Sequence, residues 1–503
     1  MSYAELVSRL SFSPTSMIGF LFITSFLLVG AKVVYNIYFH PLAAYPGPLY
    51  LVASDVPLAI LSLLGTSQYP LRAAHEKYGD IVRIAPGTLS YIQPRAWGEI
   101  YGHMKNGGGR AKFPKDPLFY NDMLLGKDTL SMVSDDDAIP IRRAVNVAFA
   151  HRSLLEQEPM MQQHIGQLMA QFEKYSSQGQ FVDIRRWFTY STFDISSDFG
   201  FGEDMSCVKN GVYHDWVKFV VEYFYAATLL HQCHKFWPLN RILALCIPPS
   251  ARRTQVLHNE SSLKRVRARM AANTDRRDFM HYFLGQARKE GLSIEKIEAQ
   301  ASIVILAASE TTSMAETAAM YHILANPDIH ARLENDIRNT FDSVESITLQ
   351  DVLRKLPYLD AVVQEALRLH TPLGNGFSRW VPDRNGAIVC DKHVPQGTVI
   401  TINHYCCNTS TANFRDPLKF VPERWMGDPR YANDKRGAVQ PFSVGPRNCP
   451  GQEFAFHNMK LTLAHLLWRF DLKLGEGTEK WAEGQRMYNG WLQPELPVIM
   501  RKR

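Results

Sequence analysis

Hydrophobic positions fall into three successive patterns along this chain. Near the start, Met17 to Ala31 reads MIGFLFITSFLLVGA, apolar except for Thr24 and Ser25, and after Lys32 the run resumes as VVYNIYF to Phe39. Roughly 20 apolar residues span a bilayer and a lysine near one end can snorkel, so Met17 to Phe39 is expected to cross a membrane once. No small-x-small cleavage site follows, which favours an uncleaved anchor over a secretory signal. Flanking charge is balanced, with Glu5 and Arg9 on one side and Lys32 on the other, and sets no orientation. Pro41 to Pro48 reads as a stiff linker, because Pro46 and Pro48 fix φ and remove donors. The chain is thus expected to divide into an anchor, 1–40, and one large domain, 41–503.

In the second pattern, IVRIA (81–85) and LSYI (89–92) flank Pro86-Gly87 and predict a β-hairpin. From about Pro94 to His370 apolar residues then recur with helical period, and the longest such segment runs from Ser293 to Leu324. After His370 the third pattern begins: short strands and coil rich in proline and glycine. The fold class expected is mainly α with a small β part, without repeats or low-complexity tracts.

Composition narrows the function. The 503 residues are 46% hydrophobic and 21% charged, a globular balance with enough length to bury a large core. The formal net charge of +6 is weak for this size and no dense Lys/Arg stripe occurs, so nucleic acid is not an expected partner. The seven cysteines, Cys207, Cys233, Cys246, Cys390, Cys406, Cys407 and Cys449, are odd in number and scattered. That is no disulfide framework and fits a reducing compartment, which leaves the sequons at Asn259 and Asn408 without weight. HQCH (231–234) lacks an obvious fourth metal ligand, and NGGG (106–109) is not followed by the Lys-Ser/Thr of a phosphate loop.

The chemistry concentrates in PFSVGPRNCPGQEF, Pro441 to Phe454. A lone cysteine is usually a small buried hydrophobe. No partners at zinc spacing flank Cys449, and a nucleophilic role would need a His and an acid from elsewhere in the chain. The spacing F-x-x-G-x-R-x-C-x-G, formed by Phe442, Gly445, Arg447, Cys449 and Gly451, resembles the haem-binding loop of cytochromes P450 with every fixed position filled. The resemblance implies haem b as cofactor, with Cys449 as the axial thiolate that favours O–O cleavage. It also implies glycines that let backbone N–H groups approach the sulfur, Phe442 shielding it from water, and Arg447 on a haem carboxylate.

Three further segments extend the resemblance over essentially the whole chain. Glu365 and Arg368 in QEALRLH have the E-x-x-R spacing, and FVPERW supplies Arg424. In this family such a trio forms a buried structural ion network. AASETTS (307–313) resembles the oxygen-activation signature, with Glu310 and Thr311 at the acid and alcohol positions and Ala308 where a second glycine is common. DDDAIPIRRAVNVAFA (135–150) resembles the helix that carries a carboxylate-binding arginine, here Arg142, but Ala138 stands where a Trp or His is usual. One usual carboxylate partner is therefore expected to be missing. Arg379 in GFSRWVPD is a further candidate for this role. The finer texture, in HEKYGDIVRIAP and NFRDPLKFVPERWMGD, resembles fungal microsomal P450s of secondary metabolism.

The resemblance implies a membrane monooxygenase that inserts one atom of O2 into a hydrophobic small molecule by hydroxylation, epoxidation or desaturation. Glu310 would relay protons and Thr311 would hold water beside the iron. No flavin or nicotinamide fingerprint is evident, so electrons are expected from a separate NADPH–cytochrome P450 reductase. Arg143, Arg152, Lys435 and Arg436 offer a basic docking face or are simply solvated. The implied localisation is the endoplasmic reticulum, with a single-pass anchor in membrane lipid and the haem domain in the cytosol. The alternatives are a reductase-independent haem-thiolate isomerase or lyase, which often lacks the acid–alcohol pair, and a non-enzymatic haem sensor, which has no need of one. The substrate pocket is expected to draw on 117–125, 213–230, Ile303 to Thr311, 371–377 and 489–491.

Overall fold

The computed structural model describes residues 14–104, 111–120, 128–212, 215–236, 240–241, 260, 262–272 and 274–503. NGGG, Asn259, much of the predicted wall 117–125 and most of 237–249 lie outside the described residues. Helix α1, Pro14–Val34, continues as a π-helical turn, Tyr35–Phe39. Met17–Phe39 is, among the described residues, the one helical segment long and apolar enough to cross a bilayer, and none of it is buried against the rest of the chain within its most apolar stretch.

The stretch expected as a stiff linker behaves differently. Leu42 is fully buried, the Arg83 N–H donates to the Pro46 carbonyl at 2.8 Å, and Asn36 Nδ2 donates to the Ala53 carbonyl at 2.7 Å. Proline content suggests stiffness but says nothing of tertiary packing, which incorporates the segment into the body of the protein.

The hairpin forms as strands β1, Ile81–Ala85, and β2, Thr88–Tyr91, paired antiparallel. Helix α2, Pro94–Tyr101, follows with proline in its first turn, where a missing N–H costs nothing. Helix α3, Asp135–Ala148, is capped by the Ser134 side chain, which accepts from the Asp137 N–H. Asp135, Asp136 and Asp137 crowd its first turn, where the helix dipole favours negative charge. A short helix α4, His151–Leu155, comes next. Strand β3, Phe181–Asp183, leads into helix α5, Ile184–Phe201, which is buried along nearly its whole length.

Helix α6, Ile294–Ala325, is capped at Ser293 and ends before Asn326-Pro327, within one residue of the expected bounds. Its 32 residues reach about 48 Å at 1.5 Å per residue, enough to cross the domain. Helix α7, Pro357–Leu369, carries the E-x-x-R pair. Strands β4, Arg379–Trp380, and β5, Val399–Thr401, complete a sheet in the order β1-β2-β5-β4. Helix α8, Gln452–Arg469, starts just beyond Cys449. Strands β6, Phe470–Leu474, and β7, Pro497–Lys502, pair with β3 in a second sheet, order β3-β7-β6.

Two apolar clusters hold these layers. The larger draws on α3, α5, α6, α7 and α8, and the smaller on β1, β2, α2 and β5. They meet at the Cys449 loop, where Phe442 packs against the first and Val444 against the second.

Candidate functional site

The Cys449 loop is held by its backbone. A single 3-10 turn, Gly445–Arg447, precedes the cysteine, and the Cys449 N–H donates back to the Phe442 carbonyl at 2.8 Å. Gly445 has φ of +75°, and a Cβ there would lie 2.1 Å from the Tyr101 carbonyl oxygen at the end of α2. Only glycine satisfies both constraints. Cys449 lines a cavity of about 310 Å3 and is accessible from it, while protein surrounds the residue on its other sides. Burial pushes the thiol up, and the Gly451 N–H and the Arg142 guanidinium act in the opposite direction by favouring the thiolate. Gly451 is also the N-cap of α8, so the helix N-terminus adds positive potential beside the sulfur.

Helix α6 forms another wall of the cavity. Ile303, Val304, Ala307, Ala308, Thr311 and Thr312 line it, together with Pro372, Leu373 and Phe377. The Thr311 hydroxyl donates to the Ala307 carbonyl at 2.6 Å, the back-bonding expected of threonine inside a helix. Thr312 Oγ1 is buried without a partner. Glu310 does not line the cavity. It is buried on the side of α6 that meets α5, where its Oε1 lies 3.7 Å from an Arg185 nitrogen. Burial raises the Glu310 carboxyl and Arg185 opposes that rise.

Four cationic side chains from separate segments reach the same cavity: Lys115, Arg142, Arg379 and Arg447. Arg142 donates to the Asn448 carbonyl at 2.5 Å and to its side-chain oxygen. Arg447 Nε donates to Asp135 Oδ1 at 2.8 Å, and Arg379 Nη1 to the Tyr120 hydroxyl at 2.7 Å. The Lys115 ammonium donates to the carbonyls of Ser131 at 2.6 Å and Val133 at 2.9 Å. Burial, then Arg447 and Arg379, pull this ammonium down to about 6. Two buried guanidinium nitrogens, Arg379 Nε and Arg447 Nη1, find no acceptor among the described residues. Three guanidiniums gathered in one lining suit a ligand that carries anionic oxygens. Haem fits this lining: its two carboxylates suit the guanidiniums, and its iron suits the thiol of Cys449.

The ion network behind the site is buried as expected. Arg368 holds Glu365 with two bonds of 2.8 Å, and Arg424 adds one of 3.1 Å, with all three side chains 0% exposed. Burial alone would raise the Glu365 carboxyl, but Arg368, the Val421 N–H and Arg424 together hold it below its ordinary value. Asp434, which the sequence reading omitted, pairs with the far side of Arg424.

Of the expected site residues, Arg142, Arg379, Phe442, Arg447, Cys449, Gly451 and Thr311 share the cavity, whereas Gly445 supports the loop from outside and Glu310 faces Arg185. Lys115 and Asn448 were missed. Asn448 sits inside the loop motif at an unspecified position, and Lys115 lies in irregular chain with no periodic pattern to mark it. In the expected substrate pocket, Tyr120 and the 303–311 and 371–377 segments contribute, while Trp491 stands behind, donating its Nε1–H to the Thr371 carbonyl at 2.8 Å.

Comparison with known proteins bears on this arrangement. The family profile described as "Cytochrome P450" matches residues 59–500. The chain is 42% identical to "Cytochrome P450 monooxygenase astD" of Aspergillus oryzae, over 95% of this chain and 92% of the relative. It is 35% identical to "Cytochrome P450 monooxygenase astA" of Talaromyces wortmannii, over 93% of this chain and 94% of the relative. It is also 35% identical to "Trichothecene C-15 hydroxylase" of Fusarium sporotrichioides, over the same shares of the two chains. With the thiol, the cationic lining and the ion network all in place, this chain belongs to the cytochrome P450 family.

Proposed function

We propose that this protein is a haem-thiolate monooxygenase of fungal secondary metabolism that inserts one oxygen atom from O2 into a hydrophobic small molecule. The observation that carries the reading is the cavity itself: the Cys449 thiol lies beside Arg142, Arg379 and Arg447 in its lining, with a mostly apolar helix face as another wall. When bound, haem supplies a thiolate-ligated iron able to activate O2 with electrons from outside the protein.

The chain's own residues do the rest. Cys449 would supply the thiolate that holds the iron, and the Gly451 N–H would moderate the charge on its sulfur. Arg142, Arg379 and Arg447 would hold the haem carboxylates. Ala307, Ala308, Ile303, Leu373 and Phe377 pack the apolar substrate and exclude water. Thr311 presents a hydroxyl that both donates and accepts, so it orders a water at the reaction site. Burial raises the Glu310 carboxyl one residue away, and releasing Arg185 would let it exchange a proton with the water.

Electrons come from a separate NADPH–cytochrome P450 reductase. Exposed Arg143, Arg152, Lys435 and Arg436 are the proposed docking charges, although Arg143 and Arg152 already pair with Glu290 and Glu156. Met17–Phe39 anchors the chain in the endoplasmic reticulum with the haem domain in the cytosol. The test is to incubate microsomes carrying the protein with candidate apolar metabolites, reductase and NADPH under isotopically labelled O2. One labelled oxygen per hydroxylated or epoxidised product is expected, and it should vanish in Cys449→Ala together with the thiolate signature of the reduced, CO-bound spectrum. Turnover that needs neither O2 nor reductase would instead assign the chain to the isomerase or lyase class.

A further inference from the structure

One group of side chains outside the cavity has the chemistry of a metal centre. His151 opens α4, and Glu453 and His457 stand four residues apart on α8, a spacing that puts both on one helix face. One donor atom from each of the three lies within 4.8 Å of the other two, and His151 Nδ1 already approaches Glu453 Oε2 to 3.2 Å. We propose that His151, Glu453 and His457 form a binding site for a divalent transition metal of the zinc class, bridging α4 to the helix that follows the Cys449 loop.

The donor set argues for the ligand. Two imidazoles and one carboxylate are a recurrent three-residue set for Zn2+, which leaves a fourth position for water, whereas Mg2+ and Ca2+ prefer oxygen ligands throughout. A tetrahedral ion with ligands at about 2.0–2.1 Å spaces its donors about 3.4 Å apart. The His151–Glu453 pair is already at that spacing. The remaining gaps close by rotating His151 and Glu453, whose side chains are 61% and 53% exposed and free to turn.

His457 supplies the rigid member. It is 3% exposed, and its Nδ1 is buried with no hydrogen-bond partner among the described residues, a state that costs free energy unless something engages the ring. The rings of His151 and His457 meet edge to face at 6.1 Å, so the two imidazoles are already gathered. Lys460, which lies near enough to His457 to repel a cation, is paired with Asp360.

The experiment uses the haem-loaded, chelator-treated full chain and Zn2+ itself, titrated against a competing fluorescent zinc indicator while the haem absorption is followed. One tight equivalent per chain is expected, with the haem spectrum unchanged. His151→Ala and Glu453→Gln, both at exposed positions, should each weaken binding at least tenfold. His457→Ala should abolish it, but this buried change risks the fold, so the two exposed variants decide. Zn2+ uptake that is equal in the wild type and a His151→Ala/Glu453→Gln double variant would overturn the proposal. So would a lack of stoichiometric uptake by the wild type, or uptake that displaces haem, which would place the ion on Cys449.

Discussion

Arg368→Met tests the energetic centre of the fold. Arg368 is fully buried and serves five acceptor contacts: two on Glu365 at 2.8 Å each, and the carbonyls of Asn408 at 2.8 Å, Pro417 at 2.6 Å and Lys419 at 2.9 Å. Methionine fills much of the space and satisfies none of them. Breaking one partner from a buried ion pair costs about 3–5 kcal/mol. Each carbonyl left dry adds about 1–3 kcal/mol, but these terms overlap because the atoms share one network. Even the lower figure is a large part of the roughly 5–15 kcal/mol that holds a folded domain together. The expected result is little holoprotein, read as reduced, CO-bound absorbance per milligram, and a half-life of that signal at fixed temperature shortened at least tenfold. Arg368→Lys should fall between, since one ammonium keeps the charge but offers only three donors.

Acid provides an independent check on the same network. Glu365 has a folded pKa below its unfolded value, so its contribution is fully present above the unfolded value of about 4.3 and is lost as pH falls through the folded one. Without Arg368, its largest stabilising neighbour, burial dominates and the sign reverses, so the variant should be less impaired relative to wild type at pH 5 than at pH 7.5. Wild-type yield and half-life in Arg368→Met, or the same relative impairment at both pH values, would refute the reasoning.

Three other outcomes are expected. Thr311→Ala should keep consuming NADPH while product per NADPH falls roughly 2- to 12-fold, the worth of one hydrogen bond of about 0.5–1.5 kcal/mol, and Thr312→Ala should matter less; measuring product and hydrogen peroxide per NADPH tests both. Replacing Arg379 or Arg447 by Leu removes a charge-assisted donor worth about 1.5–3 kcal/mol, so haem should transfer to an acceptor apoprotein about 10- to 150-fold faster, with Arg447→Lys partly restoring retention. A chain starting at residue 34 should leave the membrane fraction at least in part with haem bound, and one starting at residue 40 should melt lower, because it loses the buried Asn36 and its bond to Ala53.

The legible parts of this protein were those encoded locally. The Cys449 loop is a contiguous motif whose glycine positions answer to backbone geometry, so its resemblance to the P450 haem-binding loop was visible in the sequence and implied the ligand. The bounds of α6 followed from helical periodicity, and in the structure the Ser293 cap and Asn326-Pro327 fix them. Tertiary information was harder to read. Glu310 and Thr311 are neighbours in sequence, but about 100° of helical rotation separates them, and that rotation sends one toward Arg185 and the other into the cavity. Lys115 arrives from irregular chain, where no period marks a side chain as inward. It adds a cation to the cavity lining. Pro41 to Pro48 misled because composition reports stiffness and says nothing of what lies alongside.

That last segment also constrains how the molecule sits at a surface. A helix of 21 residues runs directly into a π-helical turn, Tyr35–Phe39, and within that turn Asn36 is fastened to Ala53. A bilayer gripping Met17–Phe39 therefore holds a mast stepped into the hull. Helix tilt becomes domain tilt, and the height of any entrance above the lipid is set by the few residues from Asn36 to Leu42. Lipids of different thickness should then reorient the whole catalytic body, and insertion of a few glycines after Phe39 would decouple the two.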